Sequence, residues 1–231
     1  MVSLPAVILC GGKGTRIRGI FPGTAKSLIP VEGKPLLQTL VSQVRQITTG
    51  QIVLAAGVFG EQVENFVNEQ GFSNLSVVRE QEPLGTAGAV FNAQGQLTGE
   101  SSGFLVFNGD TLFTDSFISE LSGALSGLRQ TLSLAIRARA SVASIGSVFD
   151  LGPENQILSI NRCQYGASDF IHSGIWLFES HEYFRQISCP MDLESCLNTA
   201  VRSGSEIRVL DIKDGGFVDL GTPSTYKDYT E

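Results

Sequence analysis

Short apolar runs alternate with one-sided helical stretches along most of this chain. Val7–Cys10, Ile52–Ala56, Leu75–Val78, Phe104–Phe107, Leu132–Ile136, Ile175–Phe178 and Ile207–Leu210 are brief, continuous and rich in branched or aromatic side chains. Runs of this kind, without polar alternation, predict strands buried on both faces. From Pro35 to Ile47, residues Leu36, Leu37, Leu40, Val41, Val44 and Ile47 fall on one face of a helix. Glu61 to Gln70 does the same with Val63, Phe66 and Val67, and Ser116–Leu128 and Leu193–Val201 are further helix candidates. Such alternation predicts an α/β layered fold around a mainly parallel sheet. Arg137 to Arg162 has little helical period and reads as strand and turn. A later strand is expected to run antiparallel, making the sheet mixed. No repeat, low-complexity tract or linker interrupts the pattern, so residues 1–231 are expected to form a single domain.

Composition narrows the classes. The chain has 231 residues, 42% hydrophobic and 17% charged, which is globular and long enough for a substantial core. No apolar run approaches the ~20 residues that span a bilayer, so no membrane partner is expected. Met1 to Leu9 lacks the cationic start and long apolar stretch of a signal peptide, which makes the cytoplasm the expected compartment. Cys10, Cys163, Cys189 and Cys196 form no C-x-x-C pair, and His172 and His181 complete no zinc spacing, so reduced and mostly buried thiols are expected. A net charge of −7 with no basic–aromatic interleaving argues against nucleic acid.

The charge is unevenly distributed. No acid precedes Glu32, whereas Lys13, Arg16, Arg18 and Lys26 stand on or just after the glycine-rich turn Gly11-Gly12-Lys13-Gly14. Glycines let backbone N–H groups approach phosphate oxygens, and cations offset the charge. The turn satisfies neither G-x-x-x-x-G-K-[ST] nor G-x-G-x-x-G, because Ile17 stands where the latter needs its last glycine. In open sheets ligands bind beyond the carboxyl ends of strands. Three more segments follow apolar runs: Glu80–Gly88, Asn108-Gly109-Asp110 and Phe217–Thr222. Asp110 and Asp219 each end such a run and are placed to share one Mg²⁺, which favours one or two carboxylates plus water and substrate phosphates.

Gly11-Gly12-Lys13-Gly14-Thr15-Arg16-Ile17, Ala25-Lys26-Ser27-Leu28, the PLGTAG segment from Pro83 to Gly88, Asn108-Gly109-Asp110 and the closing Asp219 occur in one order and spacing. In these motifs the chain resembles the sugar-nucleotidyltransferase, or NDP-sugar pyrophosphorylase, family over nearly its whole length. The resemblance implies a Rossmann-like three-layer fold and transfer of a nucleotidyl group from an NTP to a sugar 1-phosphate, with pyrophosphate released. It implies that the backbone of Gly11, Gly12 and Gly14 holds phosphates, with Leu9, Thr15, Gly85 and Thr86 also on the nucleotide. Arg16 would stabilise the pyrophosphate leaving group, Lys26 would contact the α-phosphate, and Asp110 and Asp219 would hold Mg²⁺. Gly109, Arg162, His172, Gly174 and Glu194 would face the sugar. Among family members the chain is similar in length to short bacterial manno-heptose 1-phosphate guanylyltransferases, whose products feed surface polysaccharide.

Glu80 stands where the family often carries a glutamine facing uracil or thymine. A carboxylate only accepts hydrogen bonds, and guanine offers N1–H and N2–H side by side, so GTP is favoured if Glu80 rather than Gln81 or Glu82 faces the base. Three departures fall elsewhere. Ala25 replaces the family's proline before Lys26. The acid–lysine–proline motif is absent near Asn161-Arg162-Cys163, leaving Arg162 as the cation. His172 stands for asparagine in His172-Ser173-Gly174-Ile175-Trp176. Without the motif, His172 would read as a half-buried structural histidine and Glu194 as a helix N-terminal acid. A uridylyl, cytidylyl or thymidylyl enzyme on another sugar 1-phosphate, or a non-catalytic nucleotide-sugar-binding subunit, are the alternatives, and a homo-oligomer is compatible with each.

Overall fold

The structure, a computed structural model, describes residues 1–98, 103–128, 133–180, 182–184 and 190–230. Leu132, His181 and Cys189 lie outside the described residues. The elements begin with β1 (Ala6–Leu9), β2 (Pro30–Val31), β3 (Lys34–Pro35), α1 (Leu36–Ile47), β4 (Ile52–Ala56), α2 (Gly60–Gln70), β5 (Leu75–Arg79) and α3 (Gly85–Gln94). They continue with β6 (Phe104–Asn108), β7 (Thr111–Phe113), α4 (Asp115–Gly127), β8 (Leu134–Ala140), β9 (Ser144–Leu151), β10 (Ile157–Tyr165) and β11 (Phe170–Phe178). The chain closes with α5 (Leu193–Arg202), β12 (Arg208–Asp219) and α6 (Pro223–Thr230).

An eight-stranded sheet in the order β5-β4-β1-β6-β11-β8-β12-β7 forms the middle layer. β5, β4, β1 and β6 are mutually parallel, and β12 is parallel to β8. β11 runs antiparallel to both of its neighbours, and β7 antiparallel to β12, so the sheet is mixed and mostly parallel as expected. Alternate side chains of β1 enter opposite layers. Ala6 and Ile8 pack with α1, α2 and α4 through Leu40, Val63 and Phe117, whereas Val7 packs with α3 and α5 through Val90 and Leu197. Every apolar position assigned to the inner face of α1 is buried. Thr114 caps α4 and Asp192 caps α5, each accepting from the backbone N–H three residues on.

Several elements depart from the pattern-based reading. α3 carries no amphipathic pattern in the sequence, since Gly85-Thr86-Ala87-Gly88-Ala89 has small residues all round and no polar face. It is a helix because it is sandwiched, with Ala87, Val90 and Ala93 fully buried. β11 starts at Phe170, ahead of the apolar run at Ile175, and continues through polar His172 and Ser173 across a register shift. β12 likewise runs on past Leu210 to Asp219, with a register shift between Asp211 and Gly216. Arg137–Arg162 is strand and turn, and it builds the β9–β10 ribbon outside the main sheet. Among the described cysteines, Cys10 and Cys196 are buried, but Cys163 is exposed on that ribbon. Among the described residues no helix is long and apolar enough to cross a membrane.

Candidate active site

The carboxyl ends of β1, β4, β5 and β6 open on one edge, tied by backbone bonds. The Cys10 N–H donates to Ala55 O (2.7 Å), that of Glu80 to Ala56 O (2.8 Å), and that of Gly109 to Leu9 O (3.1 Å). Between these ends and the β9–β10 ribbon lies a cavity of about 390 Å³. Leu9, Gly11, Gly12, Arg16, Lys26, Glu80, Gly85, Thr86, Gly109, Asp110, Arg162, His172, Gly174, Glu194 and Asp219 all line it. Gly14 and Thr15 do not. Gly14 instead turns the loop at φ +60°, and its carbonyl accepts from the N–H groups of Ile17 and Arg18.

Asp110 and Asp219 meet through an unusual path. β6 and β12 are not neighbours in the sheet, but the chain leaves β6 through Gly109 and Asp110 and enters β7 at once. β7 lies against the end of β12, with Thr111 paired to Asp219, and the Leu220 N–H donates to Asp110 O at 2.8 Å. Two carboxylates 109 positions apart are thereby set side by side. Gly109 lets the chain leave β6 close against the end of β1, since a Cβ there would press on the Leu9 carbonyl.

Lys26 forms an ion pair with Asp110. Burial alone would raise the Asp110 carboxyl, but the charge and hydrogen bond of Lys26, with Arg16 behind it, hold it below the ordinary range. Asp219 goes the other way. Burial and the adjacent charge of Asp110 push it up to about 6, against the pull of Lys26, the Gly221 N–H at 2.6 Å and Arg16. Two carboxylates crowded in this way have room for a further cation. Among the described residues no cluster of three or more His, Cys, Asp or Glu could hold a metal. A pair suits a hard divalent ion that keeps water and phosphate ligands and suits zinc poorly. Cys10 is poorly suited as a nucleophile, because burial pushes its thiol up to about 12.

On the other wall, Glu80 keeps Oε1 buried without a hydrogen-bond partner. Its Oε2 lies 3.4 Å from the point where a side chain on Gly11 would begin. Burial raises the Glu80 carboxyl, partly offset by the Leu84 backbone N–H. Thr86 Oγ1 accepts from the Leu193 N–H (2.7 Å), and the Ala87 N–H donates to Met191 O (3.0 Å), so α3 and the start of α5 are latched together at the cavity. Ala25 carries a bond that a proline in its place would lack. Its N–H donates to Gln62 Oε1 (2.8 Å), and Gln62 Nε2 donates to Gly23 O (2.7 Å), so α2 holds the loop that carries Lys26.

The ribbon side is ordered around His172 and Glu194. His172 is buried, with Nε2 at 3.0 Å from Ile175 O, its ring 4.3 Å from Trp176 and edge-on to Phe149. A carbonyl only accepts, so Nε2 bears the proton and Nδ1 is an acceptor in the neutral ring. Burial pulls this imidazole down to about 4. Ser147 Oγ donates to Glu194 Oε1 (2.8 Å), and Arg162 stands 3.5 Å from the same carboxylate. Sequence reasoning missed Tyr165, Trp176 and Ser147, all of which line the cavity. Burial, with the charges of Asp219 and Asp110, pushes the Tyr165 phenol up to about 12. No motif marks Tyr165 or Ser147, which the folding of the ribbon over the sheet edge brings in; Trp176 closes the His172–Trp176 motif and enters from β11.

A Rossmann-like mixed sheet with a basic glycine loop and paired aspartates at its carboxyl edge defines a nucleotidyl-transferring enzyme of the sugar-1-phosphate class. The chain belongs to the nucleotidyl transferase family, whose profile matches residues 5–231. It is 27% identical to D-glycero-alpha-D-manno-heptose 1-phosphate guanylyltransferase of Aneurinibacillus thermoaerophilus, over 97% of this chain and 96% of that protein. It is 29% identical to the bifunctional protein GlmU of Methanococcus maripaludis over 77% of this chain, but only 40% of that longer protein. HddC from Yersinia pseudotuberculosis, crystallised in complex with GMP-PN, shares the fold with a TM-score of 0.77 at 23% identity, covering 98% of each chain.

Proposed function

We propose that this enzyme transfers GMP from GTP to D-glycero-α-D-manno-heptose 1-phosphate, giving GDP-heptose and pyrophosphate. The observation that carries the base assignment is Glu80, whose buried, unpartnered Oε1 sits in the cavity wall beside Gly11. An unpaired buried acceptor is costly, and guanine N1–H and N2–H satisfy a carboxylate together. Uracil and thymine set one donor between two acceptors, which a carboxylate repels. The sugar assignment is supported by the near-complete overlap with the guanylyltransferase named above. The alternative, a pyrimidine nucleotide with another sugar 1-phosphate, lacks a comparable feature in the cavity.

In this reading residues 1–231 act as one nucleotidyltransferase domain, since the sheet draws strands from both halves of the chain. The backbone of Gly11 and Gly12 faces the phosphates, with Gly14 shaping their loop. Arg16 offsets charge on the leaving pyrophosphate and Lys26 on the α-phosphate. Arg162 takes the sugar phosphate, while Glu194 and neutral His172 accept from sugar hydroxyls. Mg²⁺, when held by Asp110 and Asp219, supplies positive charge to the phosphates. An oxygen of the sugar phosphate attacks the α-phosphorus in line. As that bond forms, the bond from the α-phosphorus to the bridging oxygen breaks, and its electron pair leaves with pyrophosphate. The attacking phosphate is already ionised, so no protein base or nucleophile is needed. Positioning and charge stabilisation account for the rate.

The test is pyrophosphate release with Mg²⁺, crossing the four common NTPs with a panel of sugar 1-phosphates that includes the manno-heptose. Release with GTP and the heptose phosphate is expected, and Glu80→Gln should lower kcat/KM for GTP at least ~10-fold relative to UTP. Release only with a pyrimidine NTP overturns the base assignment, and release only with other sugars overturns the acceptor.

A further inference from the structure

A second cavity, of about 370 Å³, is lined by Arg137, Arg139, Phe170, Asp211 and Lys213, none of which touches the first. Strand register brings these residues together. Arg137 and Arg139 are two positions apart on β8 and share a face of the pleat. Phe170 of β11 lies opposite Arg139, and Asp211 of β12 pairs with Arg137, with Lys213 two positions further on. The lining thus carries three cations against one anion in a protein of net charge −7.

The cations differ in their commitments. Arg137 is neutralised, since Nε and one terminal nitrogen donate to the two oxygens of Asp211 at 2.7 and 2.9 Å. Arg139 is oriented without being neutralised. Its guanidinium donates to Ser168 O (3.1 Å) and stands 4.7 Å from the centre of the Phe170 ring. Lys213 is anchored by its backbone N–H, which bonds the Glu120 carboxylate at 3.0 Å; the same carboxylate takes the Asp214 N–H. Among the described residues neither Arg139 nor Lys213 has an ion-pair partner. Two uncompensated cations on one cavity wall repel each other until a dianion is placed between them.

We propose that this cavity is a second ligand site, for a small phosphorylated anion. A preoriented guanidinium and an exposed ammonium match the tetrahedral oxygens of a phosphomonoester or diphosphate, and the volume suits a small molecule. The experiment is calorimetric titration, without metal, of inorganic pyrophosphate and separately of glucose 1-phosphate. Arg16→Ala combined with Arg162→Ala, which removes from the first cavity the cations assigned to the pyrophosphate and to the sugar phosphate, should retain a binding event. Arg139→Ser with Lys213→Gln should lose that event or weaken it at least ~10-fold. Pyrophosphate binding alone would name a diphosphate as the ligand; glucose 1-phosphate binding would name a phosphomonoester. Lys213→Gln alone, at a side chain with no hydrogen bond or ion pair among the described residues, decides the matter if Arg139→Ser fails to fold. No binding of either anion to the Arg16→Ala, Arg162→Ala protein, or binding that the Lys213→Gln change leaves untouched, overturns the proposal.

Discussion

His172 and Gln62 show how single side chains are given work by their surroundings. His172 is held neutral at about 4, whereas the unfolded chain titrates at the ordinary 6.5. The unfolded state therefore binds the extra proton between those values, and stability rises with pH across that window. It should be full above about pH 6.5 and fall by on the order of 3 kcal/mol as pH drops to 4. Denaturant unfolding at stepped pH should show this slope in the wild type, and His172→Asn should flatten it whatever it does to the absolute level. Gln62 bonds on both sides of the bend before Lys26, to the Ala25 N–H and to Gly23 O. Gln62→Leu removes both bonds and should cost ~1–2 kcal/mol in stability. If the latch positions Lys26, kcat/KM for the nucleotide also falls ~10-fold. An unchanged kcat/KM would make Gln62 structural only.

At the scale of elements, α3 and α5 are fastened at their N-terminal ends, where the cavity wall is formed. Gly85 opens α3 at φ +74°, and a side chain there would run into the Met191 carbonyl. Gly85→Ala should therefore destabilise the fold by ~2–4 kcal/mol, through backbone strain and overlap, and raise KM for the nucleotide. Thermal unfolding together with nucleotide titration separates the two effects. The β9–β10 ribbon presents Ser147, Arg162 and Tyr165 from the opposite side. Two of the three departures from the family pattern, at Arg162 and His172, lie on this ribbon and on β11, the side assigned above to the acceptor sugar, while Ala25 lies in the loop that carries Lys26.

For the whole molecule, the decisive event is the return of the chain from β6 through β7 to the end of β12. Asp110 and Asp219 come from distant segments and share no local motif, so each should matter only as half of a pair. Chelation of divalent ions with EDTA is expected to abolish turnover, with recovery on adding Mg²⁺. Asp219→Asn should raise the Mg²⁺ concentration for half-maximal activity ~10-fold or more. Full activity in EDTA would refute the metal reading at both aspartates.

Much of this was legible before any fold was seen. Apolar runs marked the strands, most of them buried because a strand covered on both faces has no polar side to show, although β5, expected to be buried, lies at the sheet edge and is only partly covered; one-sided periodicity marked α1 and α2 because each covers one face of the sheet. The acid-free start raised the expectation of an anion site, since cations beside glycines with no acid close in sequence suit one. Tertiary structure decided the rest. α3 is helical through its packing, with no amphipathic pattern to declare it. Ala25 was legible as a departure from the family pattern, but its bond to Gln62 exists only once α2 lies against the loop. Tyr165 and Ser147 reach the cavity because a ribbon folds over the sheet edge, Trp176 because β11 lies beside β6, and Arg137, Arg139 and Lys213 gather through strand register. Local pattern follows from how each segment is buried, and it speaks from the sequence itself. Convergence depends on which strands become neighbours, a property of the sheet that no single stretch of sequence carries.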